Sequence, residues 1–161
     1  VSAAVGIALT GSGAATPARV VTNEELSLWL DTSDHWIRSR TGIAARRIAT
    51  AGDSLESLSS QAASQALEQA GWRPEQVDLI LLATSSPDDL FGSAPAVQAA
   101  LGASNAVAFD LTAACSGFLF ALITGTQYIR SGACQRVLVV GADLLSRWVD
   151  WQDRRTCVLF G

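Results

Sequence analysis

Phe109-Asp110-Leu111-Thr112-Ala113-Ala114-Cys115-Ser116-Gly117-Phe118 joins two hydrophobic patterns of different period. Upstream, Val107–Leu111 is a short apolar run of strand type. Downstream, Phe118, Leu119, Ala121, Leu122, Gly125, Thr126 and Ile129 recur at helical spacing, and the helix is expected to end near Gly132. Cys115 therefore falls at a strand-to-helix junction. The unpaired N–H groups and the dipole of a first helical turn favour a thiolate, the nucleophilic form of cysteine. Ala113, Ala114 and Gly117 are small, so a carbonyl could approach the sulfur and backbone N–H groups together. A buried structural thiol fits the same spacing, because free cysteines are commonly buried. The residues alone leave both readings open.

Around this junction the same two periods alternate. Strands are expected at Ala3–Leu9, Val77–Thr84, Val107–Leu111, Arg136–Gly141 and Thr156–Phe160. Thr22-Asn23-Glu24-Glu25 is a capping box that opens a helix through Leu30. Asp53-Ser54-Leu55-Glu56 opens a helix to Ala70, stopped by Gly71 and Pro74, and Ser93–Leu101 forms another, ending at Gly102. Ser33–Arg40 is a shorter helix. Alternating strands and helices predict an α/β fold, with a mainly parallel sheet covered by helices on both faces.

The 161 residues suffice for one domain with a core. Hydrophobic content is 49% and charged content 16%, which predicts extensive burial and a large interface. The formal charge of −4 argues against a sequence-independent nucleic-acid binder. No apolar run reaches the length of a membrane span, and no basic region precedes a secretory-type apolar stretch. All eleven basic residues are arginine, with Arg38, Arg40, Arg46 and Arg47 in one group and Arg147, Arg154 and Arg155 in another. Arginine forks suit phosphate, and solvated surface charge is the competing reading. Cys115, Cys134 and Cys157 lack CxxC spacing, which favours reduced thiols; His35 has no partner at ligand spacing, so no metal site is expected. Gly11-Ser12-Gly13 has Thr16 where a dinucleotide loop needs its third glycine, and is read as a tight turn.

The segment around Cys115 resembles the nucleophile region of β-ketoacyl-acyl-carrier-protein synthase III, the initiating condensing enzyme of fatty-acid synthesis. Asp31-Thr32-Ser33-Asp34-His35-Trp36-Ile37 and Arg40-Thr41-Gly42-Ile43 resemble the N-terminal signature of that family. Ala83-Thr84-Ser85-Ser86 and Val139-Val140-Gly141-Ala142-Asp143 resemble its strand ends. Asp153-Arg154-Arg155-Thr156 and Leu159-Phe160-Gly161 resemble the approach to its mid-chain glycine motif. The resemblance runs in order along essentially the whole chain. It implies a thiolase-like fold of two similar α/β halves, with residues 1–161 as the N-terminal half.

The resemblance also implies a chemistry. Cys115 is the catalytic nucleophile, acetylated by acetyl-CoA and then attacked by the carbanion of decarboxylated malonyl-acyl carrier protein. Thr32, Trp36, Arg40 and Arg154 contact coenzyme A, with Trp36 and Arg154 on opposite sides of the adenine. Phe91, Leu145 and Phe160 line the acyl pocket, Phe91 from across a homodimer; each fits plain core when judged alone. No permanently bound cofactor is implied, and the other partner is acyl carrier protein. The site of action is the bacterial cytoplasm or the plastid stroma. The family's catalytic histidine and asparagine match no residue here, so the isolated chain is expected to be inactive in condensation. His35 and Arg155 depart from the family's usual residues. Rival readings are a polyketide starter-type acyltransferase, a non-catalytic half-domain, and a hydrolase with a nucleophile elbow. The last lacks a glycine at Ala113 and a downstream Asp…His pair.

Overall fold

The computed structural model describes residues 6–161, which form two compact units. The larger comprises the described residues up to Ala15 with Leu55–Asp143; the smaller comprises Thr16–Ser54 with Leu144–Gly161.

The smaller unit begins with β1 (Val20–Thr22) and α1 (Asn23–Leu26), followed by α2 (Asp34–Thr41) and β2 (Ala45–Arg47). Strands β1 and β2 pair antiparallel, with Val21 opposite Arg46. The hydrophobic periods did not predict this pair, because a three-residue strand carries too few alternations to read. Val21, Leu26, Leu30, Ile37, Cys157 and Val158 form its core, with Trp36 and Trp151 packed against them. The Thr22 side chain caps α1 by accepting from Glu25 N–H at 3.1 Å. The helix expected to reach Leu30 stops at Leu26 and continues only as turns. Glu25 lies 3.5 Å from Arg19, an ion pair outside the expected capping box.

The expected strand at Thr156–Phe160 is absent; Thr156, Cys157, Val158 and Leu159 form turns. Asp153 explains the difference. Its carbonyl accepts from Thr156 and Cys157 N–H, and its carboxylate accepts from Arg155 N–H at 2.9 Å. Such local side-chain and turn bonds compete directly with a strand ladder. Cys157 and Val158 still bury their side chains.

In the larger unit the elements are α3 (Leu55–Ala70), β3 (Leu79–Ala83), α4 (Ala94–Leu101), β4 (Val107–Leu111), α5 (Gly117–Arg130) and β5 (Val137–Gly141). The sheet is parallel in the order β4-β3-β5, with Ile80 registered against Ala108 and Leu138. All five residues of the central strand are buried, as a strand covered on both faces requires. Leu79, Leu81 and Ala83 pack with Ala121 of α5. Close approach of α5 depends on glycine: a Cβ on Gly125 would lie 2.9 Å from Val137 Cγ1. Buried Leu55, Leu58, Ala63 and Leu67 mark the inward stripe of α3, and Gly71 ends that helix at φ 68°. Gly102 does the same for α4 at φ 73°.

Of the strand expected at Ala3–Leu9, Ala3–Val5 lie outside the described residues, and Gly6–Leu9 form no strand. Gly11-Ser12-Gly13 is not the tight turn expected either. It runs against α3, where Cβ atoms on Gly11 and Gly13 would each fall 2.1 Å from the carbonyl oxygens of Ala66 and Ala62. Ser12 N–H donates to Gln69 Oε1 at 2.6 Å and Ala14 N–H to Gln65 Oε1 at 3.2 Å. These two glycines therefore permit backbone-to-helix contact, a role unrelated to phosphate binding.

Candidate active site

Because β3, β4 and β5 are parallel, their carboxyl ends share one edge of the sheet, where open α/β sheets place ligands. Cys115 follows β4 at this edge, Thr84-Ser85-Ser86 follow β3, and Asp143 follows β5. Asp143 Oδ1 accepts from Ser85 N–H at 2.8 Å and Ser86 Oγ at 2.9 Å, tying two of the strand ends together.

Between β4 and α5 the chain makes a sharp bend. Ala114 has φ 46°, the one non-glycine residue with positive φ among the described residues. An L-residue in that conformation costs roughly 1–2 kcal/mol, so the surrounding packing must hold it. A single 3₁₀ turn, Ala114–Ser116, then feeds directly into α5. A Cβ on Gly117 would lie 3.3 Å from Ala83 Cβ, and one on Gly141 would lie 2.9 Å from Phe118 Cδ2. The head of α5 is thus seated closely on β3 and β5.

Cys115 is solvent-exposed on this bend, which removes the buried structural reading. Cys157 is buried and Cys134 half-buried. Burial, reinforced by Asp153 beside Cys157 and Asp78 beside Cys134, pushes both thiols up and leaves them poor thiolates.

Phe91, the acyl-pocket candidate of the larger unit, is 94% exposed and lies beside Leu90 at the tip of a loop. Leu145 is half-buried and opens the turn Leu145–Arg147; Phe160 is 36% exposed. Both stand in the smaller unit.

The smaller unit brings three of the coenzyme A candidates together. Arg40 Cζ lies 4.5 Å from the Trp36 ring centre, as the four-residue spacing on α2 predicts. Arg154 Cζ lies 5.1 Å from the same ring. Arg154 also donates to the Asp31 carbonyl and lies 3.5 Å from the Asp31 carboxylate. Thr32 Oγ1 is buried without a hydrogen-bond partner. A buried hydroxyl left unsatisfied is costly, and a ligand acceptor at that point would relieve it.

The other arginines of the two sequence groups are engaged elsewhere. Arg46 is buried and donates to Val21 O, Asn23 Oδ1 and Val158 O at 3.1, 2.7 and 3.2 Å. Arg47 donates to Pro17 O and Ala18 O, Arg38 binds Asp34 at 2.7 Å, and Arg147 donates to Asp53 O. Arg155 pairs with Asp153 at 2.8 Å. Sequence reasoning missed Arg46 as a structural residue. Its place is in the short antiparallel pair of Val20–Thr22 with Ala45–Arg47, which hydrophobic period does not report. It also missed the roles of Asp110, an acidic residue within the otherwise apolar β4, and of Asp143, two residues beyond the end of β5.

No described helix is long and apolar enough to cross a membrane. Residues 109–161 match the family model of 3-oxoacyl-[acyl-carrier-protein] synthase III. The chain is 67% identical over 156 residues to a β-ketoacyl-[acyl-carrier-protein] synthase III of Prochlorococcus marinus, covering 97% of this chain and 46% of that protein. Among solved structures, the 3-oxoacyl-[acyl-carrier-protein] synthase III of Aquifex aeolicus is 48% identical with a TM-score of 0.94, over 97% of this chain and 51% of that one. The priming β-ketosynthase of the R1128 polyketide pathway is 37% identical with a TM-score of 0.92, over 95% of this chain and 46% of that one. These neighbours share a thiolase-like fold, and the chain spans about half the length of the curated relatives it matches. The fold, the exposed cysteine at the head of α5 and these likenesses lead to one conclusion: the chain belongs to the β-ketoacyl-acyl-carrier-protein synthase III family.

Proposed function

We propose that this chain carries the nucleophile and the coenzyme A-binding residues of an acyltransferase that initiates fatty-acid synthesis. The observation that carries this reading is Cys115, exposed at the carboxyl edge of a parallel sheet and at the head of α5. The Cys115 thiolate attacks the thioester carbon of acetyl-CoA, and the oxyanion is met by the Cys115 N–H. The carbon–sulfur bond to coenzyme A breaks, the departing thiolate takes up a proton, and acetyl-Cys115 remains. Malonyl-acyl carrier protein then loses CO2. The resulting enolate attacks the acetyl carbonyl, giving acetoacetyl-acyl carrier protein and freeing Cys115. Groups that polarise the malonyl thioester are assigned by the resemblance to a histidine and an asparagine that no residue of this chain matches.

Trp36 and Arg154 take the adenine between them, while Arg40 supplies charge to the phosphates and Thr32 a hydrogen bond. At 5.1 Å from the ring centre, Arg154 leaves too little room for a base, so it withdraws when coenzyme A enters. Phe91, Leu145 and Phe160 bound the acyl pocket, Phe91 that of the partner in a homodimer. No cofactor is held permanently, and the protein works in the bacterial cytoplasm or plastid stroma. A polyketide-type starter activity is the second reading, favoured by the likeness to the R1128 priming enzyme.

The test is to incubate the full-length protein with acetyl-CoA, quench in acid and map the adduct. Acetyl-Cys115 followed by acetoacetyl product on adding malonyl-acyl carrier protein is expected. An active protein acetylated at another residue would overturn the reading. Preference for a longer starter would move it to the polyketide class.

A further inference from the structure

The loop that carries Phe91 is held at its base by two carboxylates, one from β4 and one of its own. Asp110 lies on β4, five residues before Cys115 in the chain. Its Oδ2 accepts from Ser93 N–H at 2.8 Å and its Oδ1 from Ala94 N–H at 2.6 Å. Those amides belong to the residue before α4 and its first residue, so the carboxylate also meets the positive end of that helix. Gly92, at φ 93°, makes room: a Cβ there would lie 3.1 Å from Asp110 Cγ and 3.2 Å from its Oδ1. On the other side of the loop, Asp88 N–H donates to Ser93 Oγ at 3.1 Å. The Asp88 carboxylate accepts from Leu55 and Glu56 N–H at the start of α3, at 3.3 and 3.1 Å. Within the loop, Asp89 Oδ1 accepts from Phe91 N–H at 2.8 Å. Leu90 and Phe91, 97% and 94% exposed, project from a base fixed at both ends.

An acidic residue inside a strand of this kind needs a reason, since it gives up apolar packing. We propose that Asp110 is a positioning residue that ties the Leu90–Phe91 loop to the strand leading to Cys115. By fixing where the loop begins, it sets where Phe91 stands as a wall of the homodimer partner's acyl pocket. The inference rests on the reading of Cys115 as acyl acceptor and of Phe91 as a pocket wall. Asp110 touches no substrate. It acts by fixing where the loop begins, and charge-assisted bonds to two successive amides are directional enough to do so.

Asparagine at 110 keeps the shape, but its amide group would point a donor at one of the two N–H groups. In the full-length protein, initial rates of Cys115 acylation are measured with acetyl-CoA and with butyryl-CoA, and their ratio compared. Phe91→Ala and Asp110→Asn should each shift that ratio by about tenfold, as misplaced reacting groups do. The double variant should shift it no further, because both changes act through one element. Hydrogen exchange at the Ser93 and Ala94 amides should accelerate in Asp110→Asn. If Asp110→Asn does not fold, Gly92→Ala retains the carboxylate while driving a Cβ against it, and should shift the ratio the same way. An unchanged ratio in a folded variant, or fully additive effects with Phe91→Ala, overturns the coupling. Absence of an acyl adduct on Cys115 in the unaltered protein would instead overturn the functional reading. The exchange comparison still tests the tie in that case, and unchanged exchange would refute it.

Discussion

Arg154 lies with its guanidinium 5.1 Å from the centre of the Trp36 ring, bringing a residue near the C-terminal end of the chain onto a helix near its beginning. Arg40 approaches the same ring at 4.5 Å. Two cations on one indole make a flat, positively charged slot whose natural complement is a planar base with phosphates. Removing the indole by Trp36→Ala should weaken coenzyme A binding by about 1–3 kcal/mol, the usual worth of base–aromatic stacking. Arg154→Ala should weaken it also and flatten its salt dependence. Calorimetric titration across ionic strengths checks both, and unchanged isotherms in the two variants would refute the slot.

Cys115 should out-react the other two thiols. It is exposed, whereas burial keeps Cys134 and Cys157 protonated. Limiting iodoacetamide at neutral pH, followed by peptide mapping, should place the first label on Cys115. Cys115→Ser should fold normally and lose all acylation by acetyl-CoA.

The bend at Ala114 should tolerate glycine and reject branched residues. Glycine relieves the positive φ at the cost of a more flexible unfolded chain, so Ala114→Gly should stay within about 1 kcal/mol of the original stability. Ala114→Val should lose about 2 kcal/mol or more, since β-branched residues are true outliers at φ 46°. Urea midpoints at unchanged slope measure both changes.

Gly125→Ala should destabilise by about 1–3 kcal/mol, the common range for overpacking. The added methyl meets Val137 Cγ1 at 2.9 Å, and a β-branched side chain on a strand has little freedom to turn away. Thermal unfolding followed by circular dichroism would show the loss as a lower midpoint.

Asp153 should contribute to acid sensitivity. The Arg155 side chain, and then its N–H, hold the Asp153 carboxyl down to about 2 from the ordinary 3.8. The folded state therefore favours the charged form. The contribution is complete above the unfolded value and is lost as pH falls through about 2. Solvent exposure of Arg155 keeps it small. Stability curves of Asp153→Asn and the unaltered protein should converge as pH falls through that window. A constant difference would show the pair to be irrelevant to folding.

The chain's local signals determined several features without help from distant residues. Strand β4 spans the expected Val107–Leu111, and α5 begins within two residues of Cys115 because the hydrophobic period changes there. Gly71 and Gly102 end α3 and α4 where they were expected, each in the left-handed conformation that glycine adopts freely. The Trp36–Arg40 contact is also local, four residues on one helix.

Tertiary structure decided the rest, because the same residue type serves opposite ends in different surroundings. Arg46 and Arg40 look alike in sequence, yet one is buried on three oxygen acceptors and the other lies exposed on an indole. Thr156–Phe160 has strand composition, but the turn bonds around Asp153 capture its backbone first. Asp110 gains its partners from residues 93 and 94, across a loop whose path no periodicity reports. Hydrophobic period is a property of neighbouring residues and survives in the sequence. Burial, hydrogen-bond partnership and charge pairing depend on which segments meet, and only the folded chain brings those together.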